Sequence, residues 1–253
     1  MSSLGVSRRV RRFEGPGGRF FFLALDHGLP AGPLPGIEEP RSLASRLRPA
    51  PITGVIANPG MVRHLGAAIP ALVVHLSAGT RLGAHPTSKV LSSTVERGLA
   101  LGADAVSAQV HFGDPQQDRM LSDAGAVVDA AGDVGLPVLL MAHPPASAAV
   151  DVGAACHAAR AAAELRARIV QTPYTGTPET FREVVRGCPV PLLVAGGPRA
   201  SPPETFLETV RGAIAAGAAG VSAGRNLFQH PDPAALATRV GEILFGPAPR
   251  IGG

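Results

Sequence analysis

Short apolar runs alternate with longer stretches of helical periodicity along the whole chain, and the alternation repeats eight times. Runs without a polar face suit strands buried on both sides, and parallel strands of that kind are joined by helices. The predicted strands are Arg19–Asp26, Thr53–Ala57, Ala71–Leu76, Asp104–His111, Pro137–Ala142, Ala167–Gln171, Val190–Ala195 and Ala219–Ala223. Between them lie amphipathic stretches such as Ser88–Leu101 and Thr177–Arg186, read as helices. Gly102, Gly135, Gly187 and Gly217 precede strands and are expected to close helices in the left-handed conformation. Eight such units in 253 residues, with no linker, predict a single (β/α)8 TIM barrel over residues 1–253 rather than an open doubly wound sheet. Residues 1–18 read as a basic N-terminal extension packing on the barrel.

The rest of the composition narrows the partners. Hydrophobic residues make up 45% of the chain but aromatics only 4%, so the core is aliphatic. Among 23 basic residues Lys89 is the only lysine, a bias that fits a GC-rich genome. The formal charge of +4 and the single cluster Arg8, Arg9, Arg11 and Arg12 do not make the basic stripe a nucleic-acid surface needs. Those arginines are expected on a surface. Cys156 and Cys188 form neither a disulfide framework nor a CxxC pair. No apolar stretch precedes Phe20 and no run reaches the roughly 18 residues of a membrane helix. The expectation is a cytoplasmic protein without nucleic-acid or membrane partners.

In barrels of this kind the loops after the strands build the active site. The first strand ends Asp26-His27-Gly28, the third at His75, and the fourth at His111 with Asp114 beyond it. The fifth ends at His143, the sixth at Gln171, the seventh at Gly196-Gly197 and the eighth at Gly224-Arg225-Asn226. That set is too polar for a core and reads as a site. The last two loops commonly hold a phosphate, because glycine lets backbone N–H groups approach an anion. Gly196, Gly197 and Gly224 are therefore assigned to phosphate, with Arg225 closing on it. Glycines that merely end strands are the plainer alternative for either pair alone.

The motif order carries a resemblance. Leu25-Asp-His-Gly28, His75-Leu-Ser-Ala-Gly-Thr80, Lys89-Val-Leu91, Leu101-Gly-Ala-Asp-Ala-Val-Ser107, Tyr174-Thr-Gly176, Ala195-Gly-Gly-Pro198 and Gly224-Arg-Asn226 occur in sequence. The chain in this respect resembles archaeal-type class I fructose-bisphosphate aldolases and the 2-amino-3,7-dideoxy-D-threo-hept-6-ulosonate synthases of the deoxyribose-phosphate aldolase superfamily. The resemblance implies an acid/base aspartate at Asp26, with His27 beside it. It implies a catalytic place for His27, substrate contacts at Ser77, and at Tyr174 either a substrate contact or structural support. The family's catalytic tyrosine falls at His143 and its Schiff-base lysine at Gln171. Lys89 matches a lysine that relatives also carry near the start of a helix, so it reads as inherited rather than recruited.

An amide cannot form the iminium through which a lysine stabilises the carbanion. His143, with a reference pKa of about 6.5, is expected to both give and take protons near neutral pH. His143 and His111, the latter also a candidate substrate contact, are each weighed about evenly between a catalytic role and a hydrogen-bonded polar residue at the barrel mouth. The expected function is proton transfer next to the carbonyl of a phosphorylated keto compound, with C–C bond formation or cleavage or a related step. Asp26 and His143 exchange protons and Gln171 holds the carbonyl. No cofactor is expected. A divalent metal on the strand-end histidines, Asp26 and Asp114 is the alternative electron sink, and a non-catalytic sugar-phosphate-binding barrel is the other alternative. Relatives form multimers, which implies a homo-oligomer.

Overall fold

A computed structural model describes residues 4–66, 69–147 and 149–246. Ten strands are present: β1 (Phe20–Ala24), β2 (Gly54–Ala57), β3 (Ala71–His75), β4 (Ser77–Ala78), β5 (Val90–Leu91), β6 (Ala105–His111), β7 (Val138–His143), β8 (Ile169–Thr172), β9 (Leu192–Ala195) and β10 (Gly220–Ala223). Eight of them close a parallel barrel in the order β1-β10-β9-β8-β7-β6-β3-β2, the (β/α)8 architecture expected from the alternation. Each predicted strand is found, shortened by one or two residues at some ends and extended by one at the ends of β7 and β8.

Side chains alternate between two cores, as strand geometry requires. Phe21, Leu23, Val55, Leu72, Val74, Val106, Leu140, Val170 and Val194 face the surrounding helices. Phe20, Phe22, Ala24, Ile56, Val73, Ala105, Leu139, Met141, Ile169 and Leu193 fill the barrel interior. The N-terminal segment closes the floor. Phe13, fully buried, meets Phe22 edge-on with ring centroids 5.3 Å apart, and Phe20 meets Phe22 at 5.9 Å. Gly54 makes room for this plug, since a Cβ there would lie 2.8 Å from the Phe13 ring. The same segment is tied down by Arg9, whose guanidinium donates to Gly135 O at 2.8 Å, and by an Arg12–Asp104 ion pair. These two arginines thus anchor the extension rather than merely decorating a surface.

One local expectation is corrected. Ser88–Leu101 is not a helix throughout: Val90–Leu91 pairs antiparallel with Ser77–Ala78, and only Val95–Ala100 is helical. Ser92 donates from both its backbone N–H (2.9 Å) and its hydroxyl (3.2 Å) to Leu76 O, and Thr94 caps the shortened helix. Pairing with a segment eleven or more residues upstream overrode the local period, so Lys89 sits on a hairpin and not at a helix start. Gly187 also departs from expectation. It ends the helix Pro178–Gly187 without a left-handed φ, whereas Gly102, Gly135 and Gly217 have φ of 86°, 70° and 101°.

Candidate active site at the barrel mouth

Above the apolar layers the inward positions turn polar. The alternation that places Phe22 and Ala24 inside continues to Asp26; Ile56 leads to Asn58, Val73 to His75 and Ser77. Ala105 leads to Ser107, Gln109 and His111, Met141 to His143, and Ile169 to Gln171. Asn58, His75, Ser77, Ser107, Gln171 and Ser222 are buried polar side chains, which fold stably only when hydrogen-bonded or when held for a ligand.

Much of the layer is internally bonded. Asn58 Nδ2 donates to Asp26 O at 2.9 Å, which fixes the backbone of the carboxylate. His75 Nδ1 and Ser107 Oγ lie 2.9 Å apart, and Gln109 N donates to Ser77 Oγ at 3.0 Å. Gln109 Nε2 donates to His111 Nε2 at 2.8 Å, which requires that ring nitrogen to be unprotonated. His111 and His143 stack face to face, with centroids 4.6 Å apart and planes within 15°. Burial pushes His143 down to about 4, with Asp26 pulling the other way and Lys89 and His75 pushing further down. Burial, with His143 and Lys89, pushes His111 down to about 3. Both imidazoles are neutral at neutral pH. The expectation that His143 titrates near neutral pH is thereby moved: burial holds its ring in the neutral form well below pH 6.5.

Gln171 is buried, and its Oε1 has no hydrogen-bond partner among the described residues. An acceptor left open on the inner face of a barrel mouth suits a substrate hydroxyl, while the amide N–H₂ suits a carbonyl. His27 Nδ1 stands 3.5 Å from Asp26 Oδ1 without a hydrogen bond, and its ring meets Phe228 edge-on at 5.3 Å. Burial lowers its pKa, Asp26 opposes that, and Arg225 adds to it.

The loops after β9 and β10 meet on one side of this layer. Asn226 sews them together: Nδ2 donates to Gly196 O (2.7 Å) and Pro198 O (3.0 Å), and Oδ1 accepts from Ala200 N (2.8 Å). Gly196 and Gly224 have a packing reason as well. A Cβ on Gly196 would lie 2.9 Å from Ala223 Cα, and one on Gly224 would lie 2.6 Å from Ala24 O and 2.4 Å from His27 Cε1. Gly197, with φ of 71°, has open space where its Cβ would be. Arg225 directly follows Gly224, and its Nε is buried and without a hydrogen-bond partner among the described residues. Burial and Arg81 both work against its charge, which an arriving anion would relieve.

Sequence reasoning looked only at strand ends and so missed Asn58, Ser107, Gln109 and Ser222. Each was within reach of the period-two rule once the inward phase of its strand was known. Arg81 had no signal, because only the hairpin turns it toward Arg225. Tyr174 stands apart from the rest: its ring packs on Phe181 (5.2 Å) and its hydroxyl covers Gly212, in the helix layer. That geometry supports its structural reading over substrate contact. Among the described residues no group of three or more His, Cys, Asp and Glu is placed to hold a metal ion, so the metal-dependent alternative has no ligand set there. No described helix is long and apolar enough to cross a membrane.

The profile of the DeoC/LacD family aldolases matches residues 20–230. The chain belongs to the DeoC/LacD aldolase family. As a member it is an aldolase-type enzyme, a lyase. It is 38% identical over 246 residues to the 2-amino-3,7-dideoxy-D-threo-hept-6-ulosonate synthase 1 of Archaeoglobus fulgidus, covering 96% of this chain and 92% of that one. It is 35% identical over 238 residues to the 2-amino-4,5-dihydroxy-6-oxo-7-(phosphonooxy)heptanoate synthase of Streptomyces griseus, covering 92% and 87%. Among solved structures, an archaeal fructose-1,6-bisphosphate aldolase whose catalytic lysine carries the carbinolamine intermediate superposes with a TM-score of 0.88 at 28% identity, covering 95% of this chain and 100% of that one.

Proposed function

We propose that this aldolase-family member acts on a phosphorylated keto compound and breaks or makes the bond next to the carbonyl without a Schiff base. The observation that carries the reading is Gln171, an amide with an open acceptor on the inner face of the sixth barrel strand. Sequence reading puts the family's imine-forming lysine at that position. The phosphate lies against Gly196, Gly197, Gly224 and Arg225. The carbonyl points toward Gln171, and Asp26 with the neutral His143 moves the proton on the neighbouring carbon. Ser77 and His111 line the same polar layer and contact the sugar-like part. The names of the two synthases and of the fructose-bisphosphate aldolase support a phosphorylated, sugar-like substrate and a role in biosynthesis.

A cleft of about 590 Å³ adjoins the mouth and shares Leu29 and Asn58 with the space around Asp26. Leu25, Leu29, Pro33, Ile37 and Met61 make it largely apolar, with Glu38 at one edge. An acceptor aldehyde carrying an apolar group fits there.

The test is a borohydride quench of purified protein incubated with dihydroxyacetone phosphate and a panel of aldehydes, read by intact mass alongside product analysis. The expected result is a new product and no reduced adduct, with the product lost in Asp26→Asn and His143→Ala. Tight binding of dihydroxyacetone phosphate with no product would instead favour the non-catalytic binding protein. A reduced adduct would return the protein to Schiff-base chemistry.

A further inference from the structure

The chain's single lysine is held inside the mouth. Lys89 is 7% exposed and lines the space around Asp26 together with Asn58, His75, Ser77 and Gln109. Its Nζ donates to Pro86 O at 3.0 Å, and among the described residues no carboxylate stands within ion-pairing distance of it. An ammonium has three N–H donors, so two remain unused. A buried charge without a charged partner is costly, and such a group is normally paired or lost.

The surrounding structure holds it there nonetheless. Asp114 accepts from Thr87 Oγ1 (2.5 Å), Ser88 Oγ (2.7 Å) and Gln116 N (2.8 Å), so the two residues before Lys89 are clamped to the loop after β6. The hairpin register Ala78↔Val90 fixes the residue after it. Gly79 leaves the space the side chain occupies: a Cβ there would lie 2.8 Å from Nζ and 2.6 Å from Ser88 O. Asp114 spends its oxygens on this clamp instead of pairing with the ammonium. The other charges acting on Lys89 are Asp26 and Asp114, which favour its charged form, and Arg81, which opposes it, while burial lowers its pKa. Its field is felt in turn by His75, His111 and His143.

We propose that Lys89 is a catalytic residue: its ammonium donates to the carbonyl oxygen of the substrate and stabilises the negative charge that collects there as the adjacent proton leaves. This rests on the reading of the site given above and adds the electron sink that reading lacks. In the step, Asp26 or His143 takes the proton from the carbon next to the carbonyl. The C–H electron pair becomes the C=C bond, and the carbonyl π pair moves to oxygen. No bond forms to Nζ and Lys89 keeps its proton. A charge-assisted hydrogen bond is roughly twice as strong as a neutral one, so the ammonium outweighs the amide of Gln171 in this role. Fixed donors aimed at a developing oxyanion are worth about 10²- to 10³-fold in rate.

The experiment follows exchange of the hydroxymethyl protons of dihydroxyacetone phosphate with deuterated water by NMR, in the full-length protein and in Lys89→Met and Lys89→Arg. Samples are quenched with borohydride for intact mass, and binding of dihydroxyacetone phosphate is measured separately by calorimetry. The expected result is exchange by the wild type and a loss of about 100-fold or more in Lys89→Met with little change in affinity. Lys89→Arg should retain part of the rate and lose the alkaline decline in rate, because a guanidinium keeps its proton. Wild-type exchange that persists in Lys89→Met overturns the role of Lys89 and leaves the proposed reaction standing. No exchange by the wild type overturns the reaction itself, and the role with it. A reduced adduct on Lys89 overturns the ammonium role in favour of an imine. Should Lys89→Met not fold, Lys89→Arg decides: an unchanged alkaline limb overturns the proposal.

Discussion

Gln171 and the paired histidines show what a single side chain decides at this mouth. An amine at position 171 would be buried, and burial favours the neutral form that attacks carbonyls. Gln171→Lys is therefore expected to give a borohydride-trapped adduct with dihydroxyacetone phosphate at that residue, measured by peptide mapping. Absence of the adduct would mean that the mouth no longer presents a carbonyl to this strand. The histidines predict a pH dependence of stability. His143 and His111 are pushed from an ordinary 6.5 to about 4 and about 3. The unfolded chain therefore takes up protons first as pH falls, and the stability present above pH 6.5 is progressively lost on the way down, through about 4 for His143 and about 3 for His111. Thermal melts should show that decline, and His143→Phe should make it shallower; an unchanged slope would place the histidines' burial in doubt.

At the scale of elements, the loops after β9 and β10 act as one unit because Asn226 bonds to Gly196, Pro198 and Ala200. Removing it leaves three partly exposed backbone groups to be satisfied by water, so each costs less than the roughly 1–3 kcal/mol of a fully buried unsatisfied group. Asn226→Ala is expected to lower stability by about 1–2 kcal/mol. It should weaken binding of inorganic phosphate, measured by calorimetry, more than binding of a neutral ketose. Equal weakening of both would separate these loops from the phosphate. The β4–β5 hairpin is the other deciding element. It is short and its pairing is non-local, so the apolar period of residues 88–101 pointed to helix, and the position of Lys89 was misjudged with it.

For the whole molecule, stability and chemistry are divided between the two ends of the barrel. Phe13, Phe20 and Phe22 fill the floor, and the polar layer occupies the mouth. Truncating a buried phenylalanine usually costs about 3–5 kcal/mol. Phe13→Ala should lower the denaturation midpoint accordingly while leaving the turnover of the folded fraction close to wild type. A matching loss of turnover would show that floor and mouth are mechanically coupled.

What the sequence by itself determined is the barrel and its strand ends, because the apolar run is a local signal repeated eight times, and the family, because its motifs occur in order along the chain. The positions of Asp26, His143, Gln171 and Arg225 at the barrel mouth were legible for the same reason: each sits at or just beyond the end of a strand whose limits the apolar runs mark. Only the tertiary structure decided the rest. The His111–His143 stack, the bonds of Asn226 and the clamp of Asp114 on Thr87 and Ser88 each join segments distant in the chain. Protonation followed from that closure as well. Burial by the closed barrel holds His143 neutral and pulls the Lys89 pKa down, with Asp26 and Asp114 acting the other way on the lysine, and no spacing of residues encodes how much water a closed mouth excludes.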